Sequence, residues 1–216
     1  MPDHVVTPPV GDGPWPGVVV LHEVLGVTDD VREHAGRLAA AGYIALAPDL
    51  YAARCIPGVF RDLFRGTGRT FDAIDGARGR LAARPDCTGR VGVIGFCMGG
   101  GFALLSAVRG FDVAAANYGP LPRDLDALRG ACPLVASYGR RDRELPRAAA
   151  KLDAALERAG VVRDVKEYPD AGHSFMNRHN TGPLSPVLRV AGIGFHQPSA
   201  EDAWARILRF FAAHLR

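Results

Sequence analysis

The chain has 216 residues, of which 48% are hydrophobic and 23% charged, with a formal net charge of +3. That length suits a single domain over 1–216 with a substantial core, and charge this mild and dispersed excludes the basic stripe that a nucleic-acid partner would need. No apolar stretch reaches the length of a membrane span, and no basic and apolar leader opens the chain.

Cys55, Cys87, Cys97 and Cys132 are scattered without metal-type spacing. A cytoplasmic protein with reduced thiols, no cofactor, no membrane partner and a monomeric or weakly dimeric state is therefore expected. Arginine supplies nearly all the positive charge, since the only lysines are Lys151 and Lys166. Arginine suits planar recognition of carboxylates, which admits an anionic small substrate.

Val5 to Val10 reads as an edge strand, and Asp12 to Gly17 as a turn-rich connector. Val18 to His22 is a continuous β-branched and apolar run, as in a buried parallel strand. It exits into His22-Glu23-Val24-Leu25-Gly26. Asp29 or Asp30 opens a helix to about Ala41, closed by Gly42, and Tyr43 to Ala47 is the next strand. Ala52 to Thr70, rich in Arg and Gly, reads as a loop or short helices. Phe71 to Ala83 has Phe71, Ile74, Ala77 and Leu81 at helical spacing.

A strand from Val91 ends at Gly95, and Phe102 to Val108 reads as the following helix. Val113 to Tyr118 and Pro133 to Tyr138 are strands, with a short helix over Leu121 to Leu128 between them. Leu145 to Ala159 is a helix, and Arg163 to Tyr168 is the last strand. Asn177 to Pro198 shows no clear period, and a cover over the site and a plain connector are both open for it. Ser199, with Asp202 three residues on, opens a final helix to about Leu215 that carries Trp204, Ile207, Leu208 and Phe211 on one side. Strands alternating with helices imply an α/β protein with a mostly parallel sheet covered on both faces.

Gly95-Phe96-Cys97-Met98-Gly99 sits between a strand and a helix, the context of a nucleophile elbow with cysteine in place of serine. The flanking positions must be nearly free of side chains, and a sulfur above a helix N-terminus favours its anionic, reactive form. Cys97, Asp142 and His173 each follow a predicted strand, 45 and 31 residues apart. Their order of nucleophile, acid and histidine is that of the α/β-hydrolase triad. His173 would move the thiol proton, and Asp142 would fix its ring; Asp170, on the same loop as His173, is the weaker candidate. Taken singly, each has a plainer reading: a buried cysteine in a glycine turn, an exposed histidine, a helix-start acid.

Four stretches together resemble dienelactone hydrolase: Gly95 to Gly100, His22 to Gly26, Gly139-Arg140-Arg141-Asp142 and Gly172-His173-Ser174-Phe175. The resemblance runs from about Val18 to the end and implies an α/β-hydrolase fold. It implies that Glu23 contacts the resting thiol and moves when substrate binds, and that the backbone N–H groups of Val24 and Met98 form an oxyanion hole. The family arginine four residues after the histidine falls at Asn177, with Arg178 beside it. The other family arginine matches none of Arg61, Arg65 and Arg69 uniquely, so all five positions, with Phe175, are candidate substrate contacts.

The expected function is hydrolysis of small lactones or esters, anionic ones included, through an acyl-thioester on Cys97. A broader carboxylesterase or thioesterase is the alternative within enzymes. A non-catalytic ligand-binding or redox-sensing protein on the same fold is the alternative outside them.

Overall fold

The computed structural model describes residues 5–52, 54–178 and 194–215. A seven-stranded sheet runs in the order β1-β3-β2-β4-β5-β6-β7. Its strands are β1 (Val5–Thr7), β2 (Trp15–Leu21), β3 (Ile44–Ala47), β4 (Cys87–Phe96), β5 (Val113–Asn117), β6 (Leu134–Gly139) and β7 (Arg163–Tyr168). All neighbours are parallel except β1, which runs antiparallel to β3 at the edge.

The apolar run in β2 explains its place. Val18, Val19, Val20 and Leu21 are all fully buried, because successive side chains point to opposite faces and both faces are covered. Val19 and Leu21 face a layer built from α2 (Ile56–Arg65), α3 (Arg69–Ala82), α4 (Met98–Ser106) and α5 (Ala148–Arg158). Val18 and Val20 face α1 (Asp29–Ala40) and α6 (Gln197–His214). The helical rows do what their spacing requires: Phe71, Ile74, Ala77 and Leu81 are buried from α3, and Trp204, Ile207 and Phe211 from α6.

Several boundaries differ from the sequence expectation. β2 begins at Trp15, with a register shift between Trp15 and Gly17 that lets Pro16, which has no N–H, lie inside the strand. The 52–70 stretch forms α2 and the start of α3. Gly58, Val59, Asp62 and Leu63 make one buried stripe on α2, and Gly66 ends it with φ 70°. α4 starts at Met98 and not at Phe102, because close packing overrides the weak helix propensity of three glycines. The helix expected over 121–128 contracts to one 3-10 turn, Leu125–Leu128, opened by Asp124 accepting from the Asp126 N–H at 2.9 Å. α5 opens at Ala148 and not at Leu145. α6 opens at Gln197, so Ser199 lies in its first turn, 2.8 Å from His196 Nδ1. Of the expected cover segment, 179–193 lies outside the described residues.

The sheet order reverses between β2 and β4: the chain adds β3 on one side of β2 and then crosses to β4 on the other. The carboxyl ends of β2 and β4 therefore flank the switch point, where open α/β sheets leave a crevice for ligands. Behind it, Phe102 from α4 meets Phe71 from α3 edge to face, with ring centroids 5.1 Å apart and both rings fully buried. Phe102→Ala should lower stability by about 3–5 kcal/mol in urea titration, whereas Phe64→Ala should change it by no more than about 0.5 kcal/mol, because Phe64 is 61% exposed.

Candidate active site

β4 ends at Phe96, α4 begins at Met98, and Cys97 alone makes the turn between them, with φ 51° and ψ −119°. That conformation is costly for a residue with a Cβ and persists only where the surroundings enforce it. Two glycines do so by allowing close approach. A Cβ on Gly95 would overlap the Gly99 carbonyl, and a Cβ on Gly99 would overlap the carbonyl of Leu21. The Cys97 N–H donates to the Asn117 carbonyl at 3.0 Å, which pins the turn to the end of β5. Tyr118 (φ 39°) and Ser174 (φ 59°) also have positive φ, so strained backbone gathers here.

His173 and Asp142 reach the turn from the exits of β7 and β6. His173 Nε2 lies 3.2 Å from Cys97 Sγ, and His173 Nδ1 lies 2.7 Å from Asp142 Oδ2. Asp142 also accepts from the Glu144 N–H at 2.9 Å, which fixes its carboxylate. Burial alone would lower the His173 pKa. The hydrogen bond to Asp142, then the bond to Cys97 and the charges of both, outweigh burial and raise it to about 10. The ring is thus held in series between an acid and a sulfur.

The exit of β2 carries the facing loop. His22 is fully buried; its Nδ1 donates to the Glu23 carbonyl at 2.7 Å, while its Nε2 accepts the Leu50 N–H at 2.9 Å. A ring nitrogen that accepts a backbone N–H is unprotonated, so His22 is the neutral Nδ1–H tautomer. The peptide it holds is the one whose N–H belongs to Val24. Tyr51 closes the other side: its hydroxyl donates to the Val24 carbonyl at 2.8 Å and lies 3.7 Å from Met98 Sδ. Met98 opens α4, so its N–H has no acceptor within the helix.

Glu23 is 2% exposed. Its Oε2 accepts from Asn177 Nδ2 at 2.8 Å, and Asn177 Oδ1 lies 2.8 Å from His34 Nε2 and 3.0 Å from the Tyr118 hydroxyl. Burial raises the Glu23 pKa to about 7, opposed by the Asn177 hydrogen bond and the charge of His173, and assisted by Asp30. An arginine at 177 would hold this carboxyl ionised; a neutral amide leaves burial dominant. Among the described residues no group of three or more His, Cys, Asp or Glu is placed to hold a metal ion, and no helix is long and apolar enough to cross a membrane.

Residues 3–215 match the dienelactone hydrolase family. The chain belongs to that family. It is 30% identical over 195 residues to the carboxymethylenebutenolidase of Pseudomonas putida, with 82% of each chain covered. It is also similar to the crystal structure of a dienelactone hydrolase-like promiscuous phosphotriesterase from metagenomic libraries, at 26% identity and a TM-score of 0.79, with 95% of this chain and 89% of that one covered. This dienelactone hydrolase-like protein is a hydrolase of a family that acts on small esters and lactones.

In this family member the structure brings Cys97, His173 and Asp142 into one hydrogen-bonded series, with Glu23 interacting with the charge of His173. The expected substrate contacts fare differently. Asn177 is 1% exposed, with its amide engaged by Glu23, His34 and Tyr118. Phe175 is fully buried between Tyr118 and Tyr168. Both therefore shape the loop from within: Phe175 is held among aromatic rings and Asn177 by buried polar partners. The Arg178 guanidinium lies over Phe195 and 3.9 Å from Glu33. Arg61 and Arg69 line a cleft with Arg54 at the start of α2, and Arg65 lines a groove with Phe64 and Pro120.

Sequence reasoning missed His22 as a holder of the loop, and it missed Tyr51, His34 and Tyr118 altogether. The only sequence signal for them is adjacency: His22 precedes Glu23, and Tyr118 ends a predicted strand.

The raised Glu23 pKa has a measurable sign. The unfolded carboxyl titrates near 4.5 and the folded one near 7, so the folded chain holds the extra proton between those values. Stability therefore falls as pH rises across that window and stays lower above it. Glu23→Gln should remove the loss, gaining about 3 kcal/mol relative to wild type in going from about pH 4 to about pH 8, measured by urea titration. His34, lowered to about 4 by burial, contributes stability that grows as pH rises from about 4 to 6.5; it is common to both proteins and cancels.

Proposed function

We propose that the protein hydrolyses small lactones or esters by covalent catalysis from Cys97. The observation that carries this reading is the hydrogen-bonded series Cys97 Sγ, His173 Nε2 and Nδ1, Asp142 Oδ2 at the carboxyl ends of β4, β7 and β6. Cys97 Sγ attacks the carbonyl carbon while His173 Nε2 holds the thiol proton. The tetrahedral oxyanion accepts hydrogen bonds from the backbone N–H groups of Val24 and Met98, each contributing about 3 kcal/mol to the transition state. Collapse breaks the carbon–oxygen bond, His173 gives its proton to the leaving alkoxide, and an acyl-thioester remains on Cys97. Water then attacks the thioester, passing its proton to His173, and the acid is released with the sulfur free again. Asp142 holds the ring and balances the imidazolium. Glu23, titrating near 7, is the second proton holder: it competes with His173 for the thiol proton until substrate occupies the site.

A second reading concerns substrate breadth, and the Asn177 and Arg178 contacts favour it. Neither side chain offers a free cationic group toward Cys97: the Asn177 amide is spent internally and the Arg178 guanidinium lies at Phe195 and Glu33. Neutral esters and lactones are then accepted at least as well as anionic ones, in the manner of a broader carboxylesterase. The ratio of kcat/KM for neutral aryl esters to that for dienelactone should be about 1 or greater; a ratio far below 1 restores the anionic substrate.

Cys97→Ala should abolish turnover of enol lactones and short aryl esters, and Asp142→Asn should reduce kcat by up to about 10⁴-fold. Acid-quenched wild-type protein should carry the acyl mass on Cys97. Unchanged turnover in purified Cys97→Ala protein would sink the reading. Peroxide reactivity at Cys97 with no ester turnover would replace it with a redox sensor.

A further inference from the structure

We infer that His34 and Tyr118 are positioning residues that lock the Asn177 amide in one orientation, so that Glu23 Oε2 is always a hydrogen-bond acceptor and Glu23 takes and gives its proton at Oε1. This deepens the role given to Glu23 above and rests on that reading only for its catalytic meaning.

Donors and acceptors around the amide fix its orientation. Asn177 is buried, and its amide has two ends. One end meets both His34 Nε2, at 2.8 Å, and the Tyr118 hydroxyl, at 3.0 Å; the other meets Glu23 Oε2, at 2.8 Å. With the carbonyl toward His34 and Tyr118, its two lone pairs accept from an Nε2–H and from an O–H, and the NH2 donates to a carboxylate oxygen. Every contact then pairs a donor with an acceptor, whether Glu23 is ionised or carries its proton on Oε1. Turned over, the amide would place its carbonyl against Glu23 Oε2. That contact is bonding only if Oε2 is protonated, and repulsive once Glu23 ionises. The turned state also requires His34 Nε2 to be unprotonated. The tautomer of His34 and the proton on Glu23 are therefore linked through one amide.

The surroundings hold the first arrangement. His34 is 4% exposed and stacks on Phe96 at 4.1 Å between centroids, with Trp204 at 5.3 Å, so the ring cannot swing away. Burial keeps it neutral near pH 7, against the Asn177 hydrogen bond and the charges of Asp30 and Glu33, which favour its charged form, and with Arg37, which opposes it. The Tyr118 ring is fixed by edge contacts with His173 and Phe175. The charged groups that bear on Glu23 are Asp30 from α1 and His173 from the β7 exit; Tyr51 and Tyr118 feel its charge in turn. Beside these groups, Asn177 donates a hydrogen bond to Glu23, so its orientation controls how readily the carboxyl ionises.

The test is made in full-length Cys97→Ala protein, by ¹³C NMR of the glutamate carboxyls and ¹⁵N NMR of the histidine rings. Glu23 is assigned by loss of its signal in Glu23→Gln, and His34 by loss in His34→Gln. His34 should be the neutral Nε2–H tautomer between about pH 5.5 and 8.5, whatever the activity of the enzyme. His34→Phe should raise the Glu23 midpoint by about 1 unit, and His34→Gln, whose amide N–H can still donate, should restore it to within about 0.3 unit of the parent. In active wild-type background, the rising limb of kcat/KM should move with the same midpoint. An Nδ1–H or cationic His34 over that range overturns the inference, as does a Glu23 midpoint unmoved by His34→Phe. Wild-type protein with no ester turnover defeats the catalytic reading alone, since the two NMR results stand without it.

Discussion

The structure depends on one close approach: the first turn of α4 lies directly against the end of β2, with Gly99 beside the Leu21 carbonyl and Gly95 beside that of Gly99. No side chain fits between them. This contact forces Cys97 into a positive-φ turn, brings the start of α4 beside the His22–Gly26 loop, and places the sulfur where the β6 and β7 exits can reach it. Helix propensity is sacrificed at three consecutive glycines to achieve it, and the cost is met by the packing of Phe102, Ala103 and Leu104, all fully buried behind the turn.

Around that contact the chain arranges two buried carboxyls with different partners. Asp142 faces an imidazole and a backbone N–H, which between them fix where its carboxylate points. Glu23 faces an amide, and burial therefore keeps its proton on until about neutral pH. The two differ in partner and not in depth, since both are almost inaccessible. Two groups of the same chemistry thus meet different neighbours, a ring and a backbone N–H for one and a side-chain amide for the other.

The fold was largely legible in the sequence, because its signals are repetitive. β2, β3, β5 and β6 follow from short apolar or β-branched runs between turn residues, and α3 and α6 from apolar rows at helical spacing. What failed failed for tertiary reasons. α4 begins among glycines that propensity rejects; β2 passes through Pro16 because its register shifts there; and α2 lies in a stretch whose arginines mask a single buried stripe. In the site, Cys97, Asp142 and His173 were readable because each follows a strand, a position that chain order reveals. His34, Tyr51 and Tyr118 were not, because their roles come from partners 143, 27 and 59 residues away, and no local pattern marks such a pairing. The same holds for Phe175 and Asn177: the sequence places them beside His173 but does not tell which way a loop residue turns.

The span of these contacts bears on how the protein comes into being. Cys97 meets its imidazole across 76 residues, and Glu23 meets Asn177 across 154. Closing such long loops is slow and comes after local structure has formed. A chain emerging from the ribosome therefore completes the β4–Cys97–α4 unit well before the β7 exit exists. The sulfur is exposed to its surroundings for that interval without a histidine beside it, and the site is assembled only when the C-terminal third docks.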